Sequence, residues 1–161
     1  MSDEIELEGV PEGFEELPAG LGFTDCLKPC YRYATDTEIR FGLVVLQQHA
    51  NMLGIAHGGV LMTLADIVCG NCVNMARGVP AGSPTINLSM DYVSAARQGQ
   101  WIEARVDEVN LKRRFGFCAG GIRNSKGTVA RFHGTFYFPD HDGMWKDGRS
   151  PEKVASILDR D

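Results

Sequence analysis

Residues 57–77, HGGVLMTLADIVCGNCVNMAR, constrain the fold of this chain more than any other stretch. They read as one helix that is apolar over most of its circumference, with Val60, Leu61, Leu64, Ile67, Val68 and Val73 spread around it. The exceptions fall on one side. Gly59, Thr63, Asp66 and Gly70 follow i, i+4, i+7 and i+11, a single stripe along the axis. A helix this apolar has to be buried, so the rest of the chain must supply a layer that covers it.

The flanking segments read as that layer. Residues 28–47 form two strands, with Ile39, Phe41, Leu43 and Val45 alternating against Arg40 and Gly42. After the turn-rich RGVPAGSP come four more strands. In TINLSMDY, Ile86, Leu88, Met90 and Tyr92 share one face, and Thr85, Asn87, Ser89 and Asp91 the other. Segments near 100–110, 113–124 and 128–138 follow, the last two joined by the turn NSKG (124–127). The expected architecture is α+β: one long buried helix wrapped by a curved antiparallel sheet of five to six strands. Residues 1–22 are rich in Glu, Gly and Pro and read as a loosely held acidic arm, with a short helical turn at GFEEL (13–17). The folded domain is expected over 23–139. A tail over 140–161 carries a short helix, N-capped by Ser150 with Pro151 at its first position.

The net charge of −5 argues against a sequence-independent nucleic-acid binder. No formal charge falls between Phe41 and Ala65, but Gln47, Gln48, His49, Asn51 and His57 interrupt the run, so no membrane span is expected. The N-terminus has no apolar h-region. Five cysteines without a secretion signal read as reduced thiols, and the chain as soluble and cytoplasmic.

Asp66 is the only charge between Arg40 and Arg77. A carboxylate on an apolar helix needs a partner or a task. Gly59 and Gly70 leave a small-walled groove beside it, and Thr63 adds a hydroxyl, which suits a ligand. Gly58 and Gly59 sit at the helix start, where the first N–H groups lack intrahelical acceptors and face the positive end of the dipole. Such groups suit a carbonyl oxygen that becomes an oxyanion. Eight residues separate Gly58 from Asp66, about 12 Å along the axis. If both act on one carbonyl, Asp66 must come from a second copy, as in a two-fold dimer.

The pattern N-x5-HGG-x6-D (Asn51, His57, Gly58, Gly59, Asp66), followed by strands and MDYVSAARQG, resembles the PaaI-like branch of the hot-dog-fold thioesterases, in the 4-hydroxybenzoyl-CoA thioesterase superfamily. The resemblance covers residues 25–138. It implies a hot-dog fold and an acyl-CoA thioesterase that forms a homodimer at least, with a homotetramer expected. It implies Asp66 as general base or nucleophile and the Gly58 N–H as the group that polarises the thioester carbonyl. Asn51 of the other subunit would hold the nucleophile or substrate, and His57 would position the loop. Thr85 falls where relatives carry a Ser or Thr that orients water. No cofactor and no metal enter this chemistry.

The substrate's phosphates call for local cations in an acidic protein. Lys112, Arg113 and Arg114 form the densest basic cluster, with Arg97 in the preceding loop. Two other readings stay open beside hydrolysis: a hydratase or dehydratase using His57 and Asp66 as acid and base, and a non-catalytic acyl-CoA-binding module. CGNC (Cys69–Cys72) imitates a redox motif but lies mid-helix, away from the electropositive N-terminus that lowers a thiol pKa. Cys26, Cys30, Cys69 and Cys72 have suggestive zinc spacing and no other support.

Overall fold

The structure, a computed structural model, describes residues 5–79 and 82–139. Helix α1 spans Gly58–Arg77. Strands β1 (Glu15–Glu16), β2 (Tyr31–Ala34) and β3 (Ile39–Val44) precede it. Strands β4 (Thr85–Tyr92), β5 (Trp101–Leu111), β6 (Phe115–Asn124) and β7 (Gly127–Tyr137) follow. All described strands join one antiparallel sheet in the order β1-β2-β3-β5-β6-β7-β4.

The helix starts and stops where its sequence dictates. The His57 side chain caps the first turn. Gly78 takes the left-handed conformation at φ 70°, and the N–H groups of Gly78 and Val79 return to Met75 and Asn74 carbonyls. Leu61, Leu64, Ala65, Val68, Cys69, Cys72 and Val73 are buried, a stripe that repeats at helical spacing and lies on the sheet. By length and composition α1 could cross a membrane; here its apolar stripe packs against Phe41, Leu43, Ile102, Ile122, Phe132 and Phe136 instead. Each such large side chain contributes about 1.5–3 kcal/mol on burial.

The expected strands are present, and NSKG forms the β6–β7 hairpin with Asn124 opposite Gly127. Two details differ from the sequence reading. Residues 13–17 form no helical turn: Glu15 and Glu16 pair with Arg32 and Tyr31 as an extra edge strand. Nor is this region loosely held. Leu17 and Leu27 are buried, Phe14 packs edge-on against Trp101 at 5.0 Å, and the Asp25 carboxylate accepts from Gly20 and Leu21 N–H groups. In β4 the simple alternation breaks, because the register shifts between Thr85 and Asn87. Ile86 is the extra residue of a bulge, so Thr85 pairs with the inward-facing Phe136 and turns toward the helix. The tail helix expected near Ser150 lies outside the described residues.

Candidate active site

The start of α1 is built by a loop that folds back on itself. Asn51 and Ile55 close it through the Asn51 N–H, and the Asn51 side-chain oxygen accepts from Leu53 N–H, each at 2.9 Å. The Ala56 N–H donates to Ala96, and Ile55 bridges to Arg97, fixing the loop to the β4–β5 connection. Beneath it lies His49, fully buried, whose carbonyl accepts from His57 N–H at 2.8 Å. The His49 Nδ1 accepts from Leu46 N–H at 3.1 Å and lies 3.2 Å from the Val44 carbonyl, while its Nε2 is buried without a hydrogen-bond partner among the described residues. Burial holds this imidazole below its ordinary pKa, in the neutral form.

The helix N-terminus then distributes its orphan donors unevenly. Gly59 N–H donates to the His57 Nδ1 at 2.9 Å, and the Val60 and Leu61 N–H groups reach the His57 carbonyl. The Gly58 N–H alone among these has no acceptor among the described residues. The glycines also have a packing reason. A Cβ on Gly58 would sit 3.2 Å from the Tyr92 ring, whose hydroxyl donates to the Gly58 carbonyl at 3.2 Å. A Cβ on Gly59 would sit 3.1 Å from the His57 Nδ1.

Asp66 projects from the middle of α1 and is half-buried. Thr85 Oγ1 donates to its Oδ1 at 2.7 Å, so the β4 bulge delivers a hydroxyl to the carboxylate. That pair opens into a cavity of about 270 Å³. Phe41, Ile67, Gly70 and Phe136 line it, with Leu17, Leu21 and Thr24 of the N-terminal segment as a further wall. Thr63 stands apart, its hydroxyl returned to the Gly59 carbonyl at 2.8 Å.

The structure therefore brings Asp66 to Thr85 and Gly70, and groups Asn51, His57 and Gly58 about one loop. It keeps the two groups apart within one chain, eight residues of helix between Gly58 and Asp66. The basic residues also divide. Arg97 is exposed beside the Asn51–His57 loop. Lys112, Arg113 and Arg114 border a cavity of about 490 Å³ with Ala76, Arg77 and Phe138, at the other end of α1. Cys69 and Cys72 are buried, the Cys72 thiol pushed up to about 12 by burial and Cys69 raised by its hydrogen bond with Cys118 and by burial. Among the described residues no three His, Cys, Asp or Glu side chains gather as a metal site.

Tyr92, His49 and the Leu17–Thr24 wall were not evident from sequence. A signal for the wall was a pair of leucines, Leu17 and Leu21, four residues apart in an arm rich in Glu, Gly and Pro.

A single long helix laid across an antiparallel sheet of this order is the hot-dog fold. The comparisons give the family. The model of the Thioesterase superfamily matches residues 53–131. A Pseudomonas aeruginosa protein named "Putative esterase PA0474" is 32% identical over 131 residues, covering 81% of this chain and 98% of its own. Among solved structures, a variant of the phenylacetic acid degradation protein PaaI from Thermus thermophilus superposes with a TM-score of 0.65 at 30% identity, covering 73% of this chain and 98% of that one. A hypothetical thioesterase protein with coenzyme A from Streptococcus pneumoniae shares the fold, with a TM-score of 0.62 at 23% identity over 68% of this chain and 85% of its own. The chain belongs to the thioesterase superfamily, in its PaaI-like branch, and is a thioester hydrolase.

Proposed function

We propose that this protein hydrolyses acyl-CoA thioesters to the free acid and CoA in a site shared by two copies of the chain. The observation that carries the reading is the Asp66 carboxylate, held through Oδ1 by Thr85 and facing a cavity with its second oxygen unbonded within the described chain. In the general-base form, Asp66 takes a proton from water as the water oxygen adds to the thioester carbonyl. The resulting oxyanion is bound by the Gly58 N–H of the second copy, which has no acceptor among the described residues, at the positive end of α1. Collapse breaks the C–S bond, and the proton passes from Asp66 to the departing thiolate. In the nucleophilic form the carboxylate attacks the carbonyl, the C–S bond breaks to expel the CoA thiolate, and water hydrolyses the mixed anhydride to the free acid and the Asp66 carboxylate, its released proton going to the thiolate. The Asn51 side-chain NH₂, without an acceptor among the described residues, and the exposed His57 Nε2 of the second copy hold the incoming thioester.

The need for two copies rests on helix geometry, since about 12 Å separates Gly58 from Asp66 along one axis. Strand β4 offers the surface for pairing. It ends the sheet, its outer side is unpaired among the described residues, and Ile86 and Tyr92 lie exposed on it. Coenzyme A accompanies the Streptococcus pneumoniae relative and suits the basic cavity at Lys112, Arg113 and Arg114, where arginine binds phosphate in bidentate fashion. Arg97, Gly59 and Thr63 then line the approach at the opposite helix end.

The test is thiol release from a panel of acyl-CoAs. Asp66→Asn should fold and bind substrate with turnover reduced about 10²–10⁴-fold. Near-native turnover in the purified variant overturns the assignment.

A further inference from the structure

Resting on that reading, we infer that Tyr92 is a positioning residue of the carbonyl-binding end of the site. It acts through one peptide unit and keeps the His57 proton on the nitrogen that meets the thioester. Two side chains grip the peptide between Gly58 and Gly59. The Tyr92 hydroxyl donates to its carbonyl at 3.2 Å, and its N–H donates to the His57 Nδ1 at 2.9 Å. A carbonyl oxygen carries two lone pairs, so Tyr92 bonds it without displacing the hydrogen bond of the helix. A donor on the C=O and an acceptor on the N–H polarise the same amide in the same sense, and each bond strengthens the other. The consequence falls on the ring. A neutral imidazole has one donor nitrogen and one acceptor nitrogen. With Nδ1 accepting from Gly59, the proton sits on Nε2, and the exposed ring presents that nitrogen as a donor.

The residue types at this turn support the assignment. Serine, threonine, aspartate and asparagine are the ordinary N-caps, and any of them would satisfy the Gly59 N–H. His57 does so through Nδ1 and adds a second nitrogen on the far side of its ring. Gly58 is where the chain would otherwise be loosest, since glycine has the widest conformational freedom. Its own N–H, without an acceptor among the described residues, is flanked by the gripped peptide. Tyr92 comes from a rigid support. It closes β4 opposite Ala130, which is fully buried. The next two N–H groups, of Val93 and Ser94, both donate to the Val129 carbonyl, at 2.8 and 3.0 Å. The Ser94 hydroxyl adds a bond to the Thr128 carbonyl at 2.6 Å. The ring stands 3.2 Å from where a Gly58 Cβ would be, so the sheet fixes the phenol over the helix start.

The experiment uses Tyr92→Phe, which keeps the ring over Gly58 and removes the hydroxyl alone. In thiol release from the acyl-CoA that the native protein turns over fastest, kcat/KM should fall about fivefold, the usual net worth of one hydrogen bond. In a His57→Ala background the same substitution should have no further effect, because the ring it acts through is gone. Nitrogen NMR of the imidazole reads the tautomer directly. At about pH 8, above the ordinary histidine range, native His57 should show a protonated Nε2 and an unprotonated Nδ1. In Tyr92→Phe both signals should move toward the values of exchanging tautomers. A native ring protonated on Nδ1, imidazole signals unchanged by Tyr92→Phe, or equal losses of kcat/KM in both backgrounds would overturn the inference. So would a variant that light scattering shows to have lost the native assembly, which would make Tyr92 an interface residue instead. The NMR readout is independent of turnover. The expected tautomer shift without thiol release from any acyl-CoA would reject the hydrolytic reading and keep the coupling of Tyr92 to His57.

Discussion

Thr85 and His49 act at the scale of single side chains, one through a hydrogen bond and one through its burial. The Thr85 hydroxyl supplies one of the bonds that orient the Asp66 carboxylate. Thr85→Val keeps the shape and removes that donor, so kcat should fall about tenfold, the equivalent of one charge-assisted bond of about 1.5 kcal/mol, with far less change in KM. The sign for His49 follows from its lowered pKa in the folded state. Between that value and the ordinary value near 6.5, the unfolded chain binds the extra proton, so stability rises with pH. The stabilisation is complete above about pH 6.5 and is lost as the pH falls below it. Urea midpoints of the native chain should therefore drop from pH 7.5 to pH 5.5, and His49→Gln should flatten part of that slope. A slope unchanged in the variant would assign the acid sensitivity elsewhere.

Within the elements, the glycine pair at the start of α1 has two reasons to exist, and they separate by experiment. Gly58→Ala puts a methyl 3.2 Å from the Tyr92 ring, overpacking that costs about 1–3 kcal/mol. In a Tyr92→Ala background the same substitution should cost markedly less stability, read by urea denaturation. An equal cost in both backgrounds would exclude Tyr92 as the reason for glycine. The helix itself was legible in sequence, since its apolar spacing, Gly78 stop and Asp66 stripe are all local patterns. So were strands β2 to β7 and the NSKG hairpin, while β1 was misread as a helical turn. The inward turn of Thr85 was not, because a bulge at Ile86 breaks the period of two that the sequence displays. Nor were Tyr92 over Gly58, 34 residues apart, and the Leu17–Thr24 wall, which depend on long-range packing without a periodic signature. The Asn51-to-Asp66 spacing was legible because one loop and one helix hold it.

At the scale of the whole molecule, the proposed division of the site between two copies makes a quantitative demand. Asp66→Asn and Asn51→Ala chains, each inactive alone, should recover activity when mixed and allowed to exchange, because one site of each mixed dimer regains both residues. Random exchange yields about a quarter of native activity. No recovery between demonstrably exchanging chains would place both residues in one protomer's site. The same sheet order has a consequence in time. Strand β4 is made before β5, β6 and β7, yet its hydrogen-bonded neighbour is β7, the last of the described strands. Thr85 therefore waits for Phe136 before it is held against Asp66. Non-local pairings of this kind close late and slowly, so during synthesis the helix can collapse onto β3 and β5 while its carboxylate is still unclaimed. The Thr85–Asp66 hydrogen bond is completed only once the last described strand has emerged.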